Sequence, residues 1–154
     1  MKDYQSLVDI TLNKLKLSIE FLEITKDLKN KANEEIFEDV DAKLDERQEI
    51  IQIIQLLDSE FLTLFEKLKQ EEDFEKNIVN YPKLSDYITH IKDNFRQAYE
   101  IDQLILPILE IELENVKKNI KKSRNEAIVS EKYAQESIKK MTGASFGIFI
   151  DEMK

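Results

Sequence analysis

The residues able to do chemistry are few, and their spacing does not assemble a reactive site. There is one histidine in 154 residues, His90, and there is no cysteine. Without cysteine the chain has no disulfide and no thiolate metal site. A carboxylate-bridged di-metal centre in a helix bundle needs repeated Glu-x-x-His pairs. Three residues before His90 stands Tyr87, so His90 reads as a surface or boundary residue. The acidic run 71–75, EEDFE, has the oxygen ligands that Mg²⁺ takes, but it reads as a polar helix end. A lone histidine with no G-x-S-x-G elbow makes no recognisable Ser–His pair. Two glycines cannot build a Walker A loop or a G-x-G-x-x-G turn. The expectation is a non-enzyme with no cofactor and no metal.

Three charged residues stand where apolar ones are expected. Arg47 and Asp58 fall in the apolar stripe of one predicted helix, and Asp102 falls in that of another. Arg47 and Asp58 are about three helical turns apart, so both face the same way. A buried charge without a partner is strongly destabilising. All three are therefore expected to be register-setting polar residues of the core, with Arg47 reaching a carboxylate on a neighbouring helix.

The elements that must position them are long helices. A first helix is predicted over 3–28, with stripes Val8, Leu12, Leu15, Ile19, Leu22 and Ile10, Leu17, Phe21, Ile24, Leu28. Two adjacent stripes imply contact with two neighbours. The run 29–33, KNKAN, is the predicted connection. A second helix is predicted over 34–72, where Phe37, Val40, Leu44, Arg47, Ile51, Ile54, Asp58, Phe61, Phe65 and Leu68 alternate by three and four. A break at 74–83 follows, and Pro82 suits the first turn of the next helix. There Leu84, Ile88, Ile91, Phe95, Ala98, Asp102, Ile105 and Leu109 keep the same alternation. The register crosses Pro107 through Leu113, Val116 and Ile120, and no turn-forming cluster lies nearby. A kink is favoured over a break. Helix is expected to about residue 141, with Thr142 and Gly143 as its C-cap.

Composition agrees. Charged residues make up 36%, while glycine and proline total two each, as in bundles and coiled coils. The fold class is all-α: an antiparallel bundle of three to four long helices with coiled-coil-like packing. Residues 1–142 form the bundle domain and 143–154 a short apolar tail. The net charge of −9 opposes nonspecific nucleic-acid binding, which needs a basic surface. No run approaches a membrane span, and the N-terminus lacks a signal-peptide apolar region, so a cytoplasmic location without membrane insertion is expected. Charge is unevenly spread. Residues 34–75 hold fifteen Asp and Glu against four Lys and Arg, whereas 117–140 hold eight Lys and Arg against three Glu.

With chemistry set aside, surface recognition is left. Paired long helices present grooves that accept an amphipathic helix. From 82 to 141 the last helix would span on the order of 90 Å, far longer than the first, so part of it lacks cover within the bundle. Leu106, Leu109, Leu113, Val116 and Ile120 are the candidate partner-binding residues. In the tail, Phe146, Phe149 and Ile150 join them. The tail, GASFGIFIDEMK, contains both glycines and an apolar run that needs covering. It is expected to pack on the bundle or on a partner.

Two stretches resemble flagellar type III export chaperones of the FlgN/FliT type, in their Gram-positive, Clostridium-like branch. The first is KLDERQEIIQIIQLLDSEF, residues 43–61, through Leu44, Arg47, Gln48, Ile51, Ile54, Leu57 and Asp58. The second is FGIFID, residues 146–151, with Tyr133 in the place of an upstream tyrosine. Ile148 stands where that family has an aromatic, and Glu152-Met153 where it has lysines. The resemblance implies a cytoplasmic chaperone for the C-terminal helical segments of hook-associated or filament-cap proteins. It would prevent premature assembly and pass the client to an export-apparatus component. It adds Tyr133 to the candidate partner-binding residues. The alternative is a structural coiled-coil scaffold that self-associates through its helices, as a homodimer for instance.

Overall fold

The computed structural model describes residues 2–121 and 135–136. Four helices follow in order: α1 (Lys2–Asn33), α2 (Val40–Lys69), α3 (Phe74–Ile78) and α4 (Pro82–Ile120). There is no strand among the described residues. The long helices pack against one another, so the all-α bundle is the fold.

Cross-helix pairs give the topology. Asp3 meets Lys67, Lys14 meets Asp58, and Asp27 meets Lys43, so α1 and α2 are antiparallel. Ser18 meets Asn94, and Phe21 packs edge-on against Phe95. Leu28 and Ile105 share one core cluster. α4 therefore runs parallel to α1 and antiparallel to α2. Three apolar clusters stack along this up-down-up arrangement. Leu28, Ala32, Val40, Leu44, Ile105 and Leu109 fill one end. Phe21, Ile51, Ile54, Ile91 and Phe95 are central. Tyr4, Leu7, Leu68 and Leu84 fill the other end.

The seams of α2 and α4 follow the predicted alternation, and none of those positions up to Leu109 is exposed. α1 follows its predicted stripes in part: Val8, Phe21, Leu22 and Leu28 are buried. Its buried residues also include Tyr4, Leu7, Thr11, Ser18, Thr25 and Ala32, which the predicted stripes do not contain. Three small hydroxyl residues, seven apart, replace the apolar side chains that a hydropathy pattern looks for. Each hydroxyl donates back into its own helix: Thr11 to the Leu7 carbonyl at 2.7 Å, Ser18 to Leu15 at 2.7 Å and Thr25 to Phe21 at 2.8 Å. Burial thus leaves no hydroxyl unsatisfied. Small side chains there let neighbours approach, and α1 packs closely against both α4 and α2, whose own backbones are further apart. Ile19, predicted in a seam, is 48% exposed.

The connections also differ from expectation. Residues 29–33 continue α1, because Ala32 is a core residue and nothing in KNKAN breaks a helix. The stop comes at Glu35, in the left-handed region at φ 58°. Ile36 N–H donates to the Lys31 carbonyl and Glu35 N–H to Ala32, the double closure of a Schellman turn. Glycine usually takes that position, so no sequence signal marked it. α2 starts at Val40 rather than 34. Asp39, at its N-cap, makes no capping bond. Its carboxylate instead accepts from Lys31 Nζ at 3.1 Å, which holds that ammonium above the ordinary lysine range.

The second connection is not bare loop, since it contains α3. Phe74 and Ile78 of α3 pack with Tyr4, Phe65 and Tyr81 over the bundle end. Tyr4 stacks on Tyr81 at 5.5 Å, and Phe65 meets Phe74 edge-on at 5.6 Å. Tyr4 Oη donates to Glu71, and burial pushes its phenol up.

α4 begins with Pro82 at its first turn, as predicted, and passes through Pro107 without ending. Pro107 lacks the N–H that would bond Gln103. Both residues are exposed, so water reaches the carbonyl that the proline frees. Ile105 and Leu109, on the opposite face, keep α4 in the core across that gap.

Candidate protein-binding site

A buried polar contact joins α2 and α4. Arg47 donates from Nη1 to Asp102 Oδ1 at 2.9 Å and from Nη2 to Oδ2 at 2.8 Å. The two side chains are 1% and 3% exposed. The Arg47 guanidinium also lies over the Phe21 ring of α1, 4.4 Å from its centroid. One fork therefore touches all three long helices. Burial pushes the Asp102 carboxyl above its ordinary range, and the Arg47 charge and hydrogen bonds oppose that push. Planar two-point recognition with a cation over an aromatic face suits arginine and not lysine.

Asp58 is not a core residue. Its side chain is 37% exposed and takes Lys14 Nζ from α1 at 2.8 Å. The alternation that places it in the α2 seam is real. At this level, however, the contact is with the flank of α1, where a lysine stem can cover it and keep its head near water.

The partner-binding candidates divide at Leu109. Leu109 is 6% exposed and packed with Leu28, Ala32, Val40 and Leu44, so it belongs to the core and not to a surface stripe. Leu106 is half-buried against the same cluster. α1 ends at Asn33 and α2 begins at Val40, which is the level of Leu109. Beyond it α4 continues to Ile120, an overhang of roughly 16 Å. Leu113, Val116 and Ile120 carry the core-facing stripe onward by steps of three and four, and all three are half-buried. No described residue after Leu109 is buried. On an adjoining face, Leu104 and Ile111 are 60% and 64% exposed. Tyr133, Phe146, Phe149, Ile150 and the whole tail 143–154 lie outside the described residues, as does the predicted helix from 122 to 141 except Gln135 and Glu136.

The overhang carries a divided charge. Glu110, Glu112 and Glu114 come first, and Lys117, Lys118 and Lys121 follow. Lys117 pairs with Glu114 at 3.8 Å within the helix. At the level where the overhang leaves the bundle, the α1–α2 turn exposes Glu34, Glu35, Glu38 and Asp39.

His90 is exposed on α4 beside Lys92 and Arg96, along a shallow depression also lined by Thr89 and Asp93. Among the described residues no group of three or more His, Asp or Glu is placed to hold a metal ion. None of the described helices is long and apolar enough to cross a membrane. Set against protein-family models, curated proteins and solved structures, the chain matches none of them.

Proposed function

We propose that the chain is a cytoplasmic flagellar export chaperone. Its overhang receives an amphipathic C-terminal helix of a late flagellar subunit, a hook-associated or filament-cap protein. The observation that carries this reading is the continuation of the α4 stripe past the ends of α1 and α2. Leu113, Val116 and Ile120 keep the core register where the described bundle has no more core to give them. A helix laid beside them would extend the bundle by the same packing that builds it. The resemblance of residues 43–61 to export chaperones supports the assignment of client class. A segment that folds only when bound loses ordering entropy at that moment, which keeps affinity low enough for release to the export apparatus.

The test is co-purification of the full chain with each hook-associated and cap protein of its own genome. At least one is retrieved, and Val116→Asp/Ile120→Asp loses it without lowering the melting temperature. Retrieval of none of them overturns the assignment. Retrieval unaffected by the double substitution moves the site elsewhere.

A further inference from the structure

We infer that the overhang of α4 is also a self-recognition surface: in the absence of another occupant, a second copy of this chain covers it in antiparallel orientation. The inference stands on charge and register and does not depend on the client. A two-fold axis between Leu113 and Val116 sets Leu113 of one copy against Val116 of the other. The same operation carries Ile120 to the second copy's bundle end, where Leu109 is already closed by its own core. The two-fold repeats the Leu113–Val116 contact, with Val116 of the first copy against Leu113 of the second, so these two layers are complementary to themselves.

The charges select this orientation. Glu110 of each copy comes opposite Lys117 of the other, on the edge of the apolar seam where antiparallel helices exchange charge. Each basic tip, Lys118 and Lys121, reaches the second copy's acidic α1–α2 turn with Glu34, Glu35, Glu38 and Asp39. Parallel pairing would bring those two acidic turns together instead, and like charges brought together suppress that arrangement. The overhang is about three turns long, so the buried area falls below the ~1,000 Å² that a stable interface clears. The dimer is therefore weak, concentration-dependent and salt-sensitive.

The experiment is sedimentation equilibrium of the full chain over a concentration series at low salt, using Glu110→Lys and Lys117→Glu. The wild-type mass rises from 18.2 kDa toward twice that value. Each single variant stays monomeric, because either change sets like charges against each other across the seam. An equimolar mixture of the two associates again, since each copy then offers the sign that the other lacks. The double variant, with the charges exchanged, also dimerises. Both positions lie beyond the buried core, and unchanged melting temperatures show that folding is intact. A wild type that stays monomeric throughout overturns the inference, whether the stripe is covered by the chain's own C-terminal segment or by nothing. Single variants that dimerise like wild type, or a mixture that stays monomeric, overturn it equally.

Discussion

Arg47 and Asp102 hold two long helices through a contact that is costly to break and easy to replace. Both ions have left water, and their attraction repays that loss only while both are present. Arg47→Met takes the compensating charge from a buried carboxylate and should cost about 3–5 kcal/mol at neutral pH. Arg47→Met/Asp102→Leu removes both charges and should be near neutral or stabilising. The single variant also carries a pH signature. Burial raises Asp102 above its ordinary value of 3.8, and the arginine opposes that rise. Without the arginine, burial acts without that opposition, so the folded state binds the Asp102 proton more tightly than the unfolded chain does. Stability from a raised pKa is fully present below the unfolded value and is lost as pH rises through the folded one. The Arg47→Met penalty is therefore largest at neutral pH and shrinks on acidification toward about pH 4. Urea unfolding of the three proteins at several pH values checks this. A penalty that does not change with pH would show that Asp102 does not titrate in the folded variant. The positions of both residues were legible from the seam alternation, but that they face each other was not. Asp58 shows the limit of the same pattern. Alternation fixes the direction of a side chain only to within a flank, and Lys14 decides whether that flank is dry.

At the scale of elements, apolar periodicity was informative wherever packing is done by large aliphatic side chains. α2 and α4 meet their neighbours through Ile, Leu and Phe, and their seams and the passage through Pro107 could be read directly. The packed face of α1 includes Thr11, Ser18 and Thr25, whose heptad spacing carries no hydropathy signal. The α1–α2 turn was equally silent, because Glu35 takes a left-handed conformation that glycine normally signals. α3 is too short to show a period. The α1 stripe makes a sharp prediction about neighbours in sequence. Ser18 is fully buried and accepts Asn94 Nδ2 at 3.0 Å. Ser18→Leu must force α1 and α4 apart and strand Asn94, costing about 1–3 kcal/mol. Ile19 is half exposed, and Ile19→Ala should cost less than about 1 kcal/mol. A sequence pattern alone ranks these two substitutions in the opposite order. Thermal unfolding of the pair decides between the rankings, and an Ile19→Ala loss exceeding that of Ser18→Leu would refute the stripe.

Among the described residues, α4 runs past the ends of both α1 and α2. Charge is arranged along that axis, with an acidic turn where α1 and α2 meet and a basic tip at the end of the overhang. A client helix and a second copy would both satisfy the same three residues, Leu113, Val116 and Ile120. They differ in what else they satisfy. The second copy brings a basic tip to the acidic turn, so its hold weakens as salt screens those charges. A client held chiefly by apolar burial keeps its affinity in salt. Competition between the two follows from mass action, since an occupant of the monomer's stripe draws the dimer apart. The measurement is sedimentation of the chain at a dimer-forming concentration, titrated with a peptide covering the C-terminal helix of a client that co-purifies. The expected end point is a one-to-one complex, with the dimer lost in proportion to peptide bound. Raising the salt first should remove the dimer and leave the peptide affinity within a few-fold of its low-salt value. A peptide that binds while the dimer persists would place the client site away from the overhang. A peptide affinity that collapses with salt would mean that the acidic turn, and not the apolar stripe, recognises the client.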